Sequence, residues 1–179
     1  LHKALLSESL GCPELKVTDA MVKEVSKFNS DEELLRSGGI SMETLDRAAH
    51  GFSESDIETL MPDQLNIRWV EDLDNVKWEM RHKGLTPNEY ATKVDLSEPI
   101  EVSYMEDLEN GLKRGFYIED GHHRYYAAKI LNKPLNVDLE IKVNPFKVIG
   151  KGLGYDDYHR CLYRQITTLN NQVNSDNER

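Results

Sequence analysis

The amino-acid sequence predicts an α+β protein in which a small mixed sheet is flanked by helices. Segments with the 3.6-residue spacing of amphipathic helices alternate with short β-branched or aromatic stretches, and residues 137–143 alternate apolar and charged side chains as a strand does. The chain has 179 residues, which is enough for one well-packed domain with additional helices. We expect a core at residues 55–149, with helical extensions at 1–54 and 150–179.

The N-terminal extension is predicted to hold three short helices. Apolar residues of the segment 19–28 share one helical face, and Ser30 and Ser41 each precede a Glu-containing stretch in the pattern of a capped helix start. The two glycines at 38–39 are typical of the turn that ends the second helix. We interpret this extension as a lid or packing surface, with an arm that binds a protein partner as the alternative.

The core is predicted to start with a short strand at 57–60 and a turn at Pro62. A charged amphipathic helix is expected at 69–83, where apolar residues recur on one face. We expect Trp69 and Trp78 to contribute to the core or to line a groove. A platform on which a ligand stacks is the alternative role for them.

The remaining core elements follow in the order expected of an α+β domain. Pro87 is typical of a first helical position, and strands are predicted at 99–104 and 115–118. Gly121 is predicted to open a helix that runs to about residue 132 and is followed by the strand at 137–143.

The C-terminal extension is predicted to be one amphipathic helix after a flexible loop. Pro145 is expected to end the last strand, and the glycines at 150–154 lack the spacing of a phosphate-binding loop. Apolar residues between 158 and 169 recur with helical spacing. The polar tail at 170–179 is expected to fray.

Composition and cysteine content bear on the compartment. Hydrophobic residues make up 39% of the chain and charged residues 30%, which is typical of a soluble globular protein. No apolar run approaches the roughly 20 residues that cross a bilayer, and no secretory signal is visible. Cys12 and Cys161 have no metal-ligand spacing, and we expect two reduced thiols. These features predict a cytoplasmic protein that does not interact with membranes.

The formal net charge of -10 bears on nucleic-acid binding. Tight binding of duplex DNA usually needs a basic face that releases counterions. The chain as a whole has no such excess, although Lys113, Arg114 and the basic residues at 122–124 lie close in sequence. We therefore expect duplex DNA binding to be weak or absent.

The most informative segment is Asp120-Gly121-His122-His123-Arg124, between a predicted strand and a predicted helix. Free N–H groups and the positive end of the helix dipole attract an anion at a helix start. Arg124 adds a guanidinium that can hold two phosphate oxygens at once. The histidines can donate hydrogen bonds or transfer protons near neutral pH. Cationic side chains at this position require either an anionic ligand or compensation by Asp120 and the preceding glutamate.

This segment resembles the ParB/sulfiredoxin superfamily over about residues 55–145. The similarity lies in the order strand, Asp-Gly-His-His-Arg, helix, proline, strand, and in the Asp-Gly-His-x-Arg motif of free-serine kinases and ParB-like nuclease-type proteins. The resemblance implies a ParB/sulfiredoxin-like core that binds a nucleotide phosphate through Gly121, His123 and Arg124. His122 stands where sulfiredoxins have a catalytic cysteine, so the reduction of sulfinic acids is excluded.

Four residues are predicted to take part in chemistry. Three of them, Asp120, His122 and His123, lie in the motif. Asp120 is expected to hold Mg²⁺ or to orient His123, with a helix N-cap as an alternative role. The kinase-like members of the superfamily use a separate acidic residue as the base, and the resemblance implies Asp63, or else Glu71, for that role.

The leading functional hypothesis is nucleotide-dependent phosphotransfer by a small-molecule kinase or an NTPase. ATP, ADP or CTP is the expected nucleotide, and Mg²⁺ is the expected cofactor. One alternative is a ParB-like nuclease, which would show a basic cleft lined by carboxylates. The other is a non-catalytic regulator that senses a nucleotide or phosphate and acts through protein partners, and it would show no carboxylate near the phosphate position.

Overall fold

The chain folds into two compact units. One, the helical unit, consists of residues 1–53 and 144–179, and the other, the core unit, consists of residues 54–143. The two terminal extensions therefore belong to one unit. The computed structural model describes Cys12 and residues 15–143, 147–148, 151–152 and 155–177.

The helices are, in chain order, α1 (Asp19–Val25), α2 (Asp31–Arg36), α3 (Met42–His50), α4 (Val70–His82), α5 (Pro87–Lys93), α6 (His122–Leu131) and α7 (Tyr155–Asn177). The strands are β1 (Thr59–Leu60), β2 (Leu65–Ile67), β3 (Ile100–Asp107), β4 (Leu112–Asp120), β5 (Leu135–Ile141), β6 (Lys147–Val148) and β7 (Lys151–Gly152). Short 3-10 helices lie at Glu54–Asp56, Pro62–Gln64 and Leu108–Asn110.

In the helical unit, α1, α2 and α3 begin at hydroxyl caps. The side-chain oxygens of Thr18, Ser30 and Ser41 accept hydrogen bonds from N–H groups in the first turns. The buried residues that α1–α3 and α7 share are almost all aliphatic: Met21, Val25, Leu34, Ile40, Leu45, Ala48, Leu162 and Ile166. The three predicted N-terminal helices and the apolar face of the C-terminal helix are confirmed.

The C-terminal helix α7 continues through the polar segment as far as Asn177, and no glycine or proline interrupts it. One prediction about the C-terminal extension is wrong. Lys151–Gly152, expected in a loop, forms β7 and pairs antiparallel with β6. Pro145 and the remaining residues of the glycine loop lie outside the described residues.

Cys12 and Cys161 form a disulfide that joins the segment before α1 to α7 across a sequence separation of 149. The expectation of two reduced thiols is therefore wrong. Sequence spacing could not reveal the pair, because the two cysteines meet only when the terminal segments pack together. Disulfides are rare in cytosolic proteins, so this bond weighs against the predicted cytoplasmic location. Within the described parts of the chain, no helix has the length and apolar character needed to cross a membrane.

The core unit contains the predicted mixed sheet, with the strand order β1-β5-β3-β4-β2. β3 is antiparallel to β4 and parallel to β5. β2 lies parallel to β4, and β1 lies antiparallel to β5 at the opposite edge. The α+β class is confirmed. The sequence pattern does not predict β2, because three residues are too few to show an alternation.

Helix α6 packs on the sheet, and α4 and α5 pack beside it. The buried residues between α6 and the sheet come from both elements: Ile100, Val102, Ile118, Tyr125, Ala128 and Leu135. A second buried cluster joins Val76 and Met80 of α4 to Tyr90 of α5, with Tyr126 of α6 packed against it. The start of α6 is therefore held next to the end of β4 and beside α4.

Candidate functional site

Gly121 forms the turn from β4 into α6. Its φ angle is +106°, in the left-handed region, and a Cβ atom there would lie 2.4 Å from Cγ2 of Ile100. Glycine therefore fits both the backbone conformation and the close approach to β3. Gly121 is also the N-cap residue of α6, and no side chain caps that helix. The alternative role of Asp120 as the N-cap is wrong, because Asp120 is the last residue of β4.

A pocket of about 370 Å³ opens at this helix start. The residues that line it come from α4 and from the turn between β4 and α6: Asp72, Asn75, Val76, Asp120, Gly121, His122, His123 and Arg124. The N–H groups of the first helical turn have no carbonyl partner within the helix, and the helix dipole adds positive potential. The structure thus places the whole five-residue motif around one cavity.

His122 is a buried polar side chain of this pocket. It is 6% exposed, and its Nε2 atom has no hydrogen-bond partner among the described residues. Burial lowers the pKa of His122 below its ordinary value, although the carboxylates of Asp72 and Asp120 act in the opposite direction. The imidazole is therefore neutral at neutral pH. Leaving a buried polar atom unpaired costs about 1–3 kcal/mol, which a ligand that pairs with Nε2 would offset.

The His123 side chain is held between α4 and α5. Its Nδ1 atom is hydrogen-bonded to the Tyr90 hydroxyl at 2.5 Å, and its Nε2 atom lies 3.6 Å from the Glu79 carboxylate. Burial, followed by the charge of Glu79, raises the pKa of Tyr90, so the hydroxyl keeps its proton and can donate it to Nδ1 of His123. Both ring nitrogens thus face protein groups. The backbone N–H of His123, in the first turn of α6, is the group that points toward an anion.

The guanidinium of Arg124 is anchored to the chain that leads into β3. Nη1 donates to the backbone carbonyls of Pro99, at 2.6 Å, and Glu98, at 3.2 Å. Arg124 is half-buried and lines the pocket. No partner for Nε or Nη2 occurs among the described residues. One half of the guanidinium is therefore fixed to the backbone, and the other half can bind an anion.

Two carboxylates line the pocket, and only Asp120 is predicted from the sequence. The other is Asp72 on α4, one residue after Glu71. Asp63 lies in the 3-10 helix Pro62–Gln64, and neither Asp63 nor Glu71 is among the residues that line the pocket. The acidic side chain from outside the motif that lines the pocket is therefore Asp72.

The sequence contains a signal for this face of α4. Asp72, Asn75 and Glu79 are separated by three and four residues, so they share one side of the helix. Glu71 is equally acidic, and the sequence gives no reason to expect Asp72 rather than Glu71 at the pocket. Only the packing of α4 beside α6 shows which side faces the motif. No comparable signal exists for Tyr90, which is 33 positions from His123 in the sequence.

Glu119 does not compensate the cationic residues of the motif, because it has other partners. Arg68 lies 3.1 Å from its carboxylate and Lys142 lies 3.7 Å from it. Burial acts to raise the pKa of Glu119, but the hydrogen bond with Ser103 and the charges of Lys142 and Arg68 hold that pKa below its ordinary value. Asp72 and Asp120 are therefore the carboxylates left to act at the pocket.

A bound metal ion would need ligands in addition to the protein. Among the described residues, no group of three or more His, Cys, Asp or Glu side chains is arranged to hold a metal. Mg²⁺ is commonly bound by one or two carboxylates together with phosphate oxygens and water, rather than by a cage of protein ligands. Asp120 and Asp72 fit that donor set when a phosphate is also present.

Comparisons of the chain with protein-family models, with curated proteins and with solved structures found no match. The resemblance to the ParB/sulfiredoxin superfamily therefore depends on the motif itself and on the order of the elements around it.

Proposed function

We propose that the chain binds the phosphates of a nucleotide at the start of α6 and transfers a phosphoryl group to a small-molecule acceptor or to water. The observation that carries this proposal is the buried, unpartnered Nε2 atom of His122 beside a helix start without a side-chain cap. The oxygens of a phosphate group can accept hydrogen bonds both from His122 and from the N–H groups of the first turn of α6. With its proton on Nε2, neutral His122 donates to one oxygen, and the first-turn N–H groups donate to the others.

Phosphoryl transfer requires charge stabilisation and a proton acceptor. Arg124 and the helix start stabilise the negative charge of the transferred group. The bond between the terminal phosphorus and its bridging oxygen breaks, and a bond between that phosphorus and the acceptor oxygen forms. Asp72 takes the proton of the acceptor hydroxyl, and the bridging oxygen leaves with the shortened nucleotide. Asp120 would hold Mg²⁺, which would neutralise phosphate charge when bound.

The finer fold that we propose for the core unit is ParB/sulfiredoxin-like. The order expected from the resemblance is present: β4, the Asp-Gly-His-His-Arg turn, α6, Pro134 and β5 follow one another along the chain. β5 then lies parallel to β3, next to the strand that approaches Gly121. This arrangement supports the proposal that the helix start is the phosphate site.

The two alternative functions have less support. A nuclease would need a basic cleft, whereas Arg124 is accompanied at this pocket by Asp72 and Asp120. A purely sensory phosphate site has no use for carboxylates next to the phosphate, since they repel it. The acidic lining lacks the basic character of a nuclease cleft, and the pair of carboxylates favours phosphotransfer over a sensory site.

The test of this proposal replaces His122 with leucine, an apolar side chain of similar size. Leucine removes the unpaired polar atom, so we expect the stability of the protein to stay the same or to rise. The affinity for ADP or ATP should fall at least tenfold, because the ligand loses a hydrogen bond made in a buried position. Isothermal titration calorimetry with and without Mg²⁺, together with urea unfolding, measures the two effects. Unchanged nucleotide affinity in His122→Leu would contradict the proposal.

A further inference from the structure

Trp78 exposes a large aromatic ring on α4. The ring is 59% exposed, and it stacks on His82 with 4.7 Å between the ring centroids and an angle of 10° between the planes. The buried residues of α4 are Val76 and Met80. The expectation that Trp78 belongs to the core is therefore wrong, and packing within the fold does not account for this exposed pair of rings.

The stacked pair of Trp78 and His82 lies beside the pocket wall. Asn75 lines the pocket, and Trp78 follows it by three residues. Side chains three apart on a helix are neighbours, with about 5–6 Å between their Cβ atoms. Glu79, the next residue, faces His123 of the motif. The exposed indole therefore lies at the edge of the pocket, about one helical turn from the residues that meet the phosphate site.

The pocket is small for a whole nucleotide, which gives Trp78 at its rim a possible role in binding. Its volume of about 370 Å³ is near the lower end of the roughly 300–1,000 Å³ found for small-molecule sites. Phosphates and a sugar largely fill such a space, so the base of a nucleotide has to find its contacts at the rim. We propose that the stacked pair of Trp78 and His82 binds the base of the nucleotide. This inference rests on the proposed function of the pocket.

Trp69, the residue that precedes α4, is a natural comparison. It is the N-cap residue of that helix and does not line the pocket. The guanidinium of Arg68 lies 4.5 Å from the centre of the Trp69 ring and also pairs with Glu119. Trp69 is less exposed, at 44%. It therefore has a partner within the fold, and it serves as the matched control.

The experiment compares a ligand that has a base with one that does not. ADP and tripolyphosphate are titrated by calorimetry into the wild-type protein, Trp78→Ala and Trp69→Ala. Stacking of a base on an aromatic side chain contributes enough for a roughly 5- to 150-fold change in affinity. We expect Trp78→Ala to weaken ADP binding by a factor in this range and to leave tripolyphosphate binding unchanged. Trp78→Phe should restore part of the ADP affinity, and Trp69→Ala should bind both ligands as the wild type does.

Fluorescence gives a second readout that does not depend on turnover. The chain has two tryptophans, so Trp69→Phe leaves Trp78 as the sole indole. We expect ADP to quench its emission and tripolyphosphate to leave it unchanged. Equal ADP affinity in Trp78→Ala and wild type overturns the inference, as does equal weakening of both ligands or a loss confined to Trp69→Ala. If the wild type binds neither ligand, the proposed function itself is overturned, and the inference falls with it.

Discussion

Helices α1, α2 and α3 of the helical unit begin in a different way from helix α6 of the core unit. In the helical unit, Thr18, Ser30 and Ser41 supply side-chain oxygens to the first turns of α1, α2 and α3. In the core unit, α6 begins at Gly121, which has no side chain to offer. Each of the first three helices also has an acidic residue in its first turn, whereas α6 has none. In α1, α2 and α3, nearby side chains therefore accept hydrogen bonds from first-turn N–H groups, whereas no side chain does so in α6.

This difference indicates that the start of α6 has a role other than stabilising its own helix. A positive charge is unfavourable at a helix N-terminus, and the first turn of α6 contains Arg124 and no acidic residue. Such a start loses stability unless an anion is bound. The adjacent pocket and the unpartnered Nε2 atom of His122 give an anion a place to bind.

The largest effect is expected from Gly121→Ala, which tests whether the α6 start requires glycine. The left-handed conformation costs an alanine about 1–2 kcal/mol, and the contact with Ile100 adds roughly 1–3 kcal/mol of overpacking. Urea unfolding should show a loss of about 2–5 kcal/mol. Gly111→Ala is the matched control, because Gly111 has a φ of +75° and open space around it. Gly111→Ala should lose only the free energy of the left-handed conformation. Equal losses of stability in the two variants would show that the contact between residue 121 and Ile100 contributes nothing.

The next effect concerns the chemistry of the uncapped start. Asp120→Asn keeps the size of the side chain and removes the charge that we propose to hold Mg²⁺, so turnover should fall by roughly 10²-fold or more. Stability should change little, since Asp120 does not cap α6. Phosphate or ADP release from ATP is measured with candidate acceptors, alongside Asp72→Asn and Asp138→Asn. Asp138 is exposed on β5 and does not line the pocket, so its variant should keep full turnover.

The same assay shows whether the catalytic base is Asp63, as the sequence predicted, or Asp72, which lines the pocket. Asp63→Asn should leave turnover intact if Asp72 takes the proton of the acceptor. A loss in Asp63→Asn with normal turnover in Asp72→Asn would instead support Asp63. Equal turnover in wild type and Asp120→Asn would exclude Asp120 from the chemistry.

Arg124→Ala should have a smaller effect, on ligand binding. Losing a charge-assisted hydrogen bond costs about 1.5–3 kcal/mol, which corresponds to a roughly tenfold to hundredfold loss of ADP affinity. Calorimetry measures the loss, and circular dichroism checks that the fold survives without the contacts to Pro99 and Glu98. Arg114→Ala is the control, because Arg114 is exposed and pairs with Glu106 away from the pocket. A similar loss in both variants would indicate a general effect of charge rather than a contact at the α6 start.

How well the sequence predicted each region depended on whether its determinants were local. The capped helices and the Gly121 turn were predictable, because a hydroxyl three residues before an N–H, or a glycine after a strand, acts within a few residues. The disulfide between Cys12 and Cys161 was not, because it depends on contacts between distant segments. The same holds for Asp72 at the pocket, whose role depends on which side of α4 faces α6.

His123 illustrates the limit most directly. The motif suggested a side chain that binds phosphate, whereas the structure places both ring nitrogens against Tyr90 and Glu79. The sequence identified the segment correctly as a helix start crowded with donors. It could not tell which of two adjacent histidines turns inward, because successive residues on a helix point about 100° apart and the packing partners come from other helices.

The smallest effect is expected at a capped start in the same unit as the site. Thr86 caps α5: its hydroxyl oxygen accepts from the N–H of Glu89 at 3.3 Å, and the Glu89 carboxylate accepts from the N–H and hydroxyl of Thr86. Thr86→Ala should cost about 1 kcal/mol in urea unfolding, as is usual for a lost cap. ADP affinity should not change, because this helix start already satisfies its own donors.

The pH dependence of the Thr86→Ala effect sharpens the contrast with α6. Hydrogen bonds from the side chain and then the backbone of Thr86 hold the pKa of Glu89 below its ordinary value. The stabilisation they provide is therefore present when Glu89 is ionised in both the folded and unfolded states, above its unfolded pKa. It is lost as the pH falls through the folded pKa and the carboxylate is protonated. The stability difference between wild type and Thr86→Ala should narrow in acid, whereas a difference that is independent of pH would mean that Glu89 contributes nothing to the cap. A drop in ADP affinity in Thr86→Ala would show that the capped start of α5 affects binding at the start of α6. The contrast between capped and uncapped helix starts would then not explain where the ligand binds.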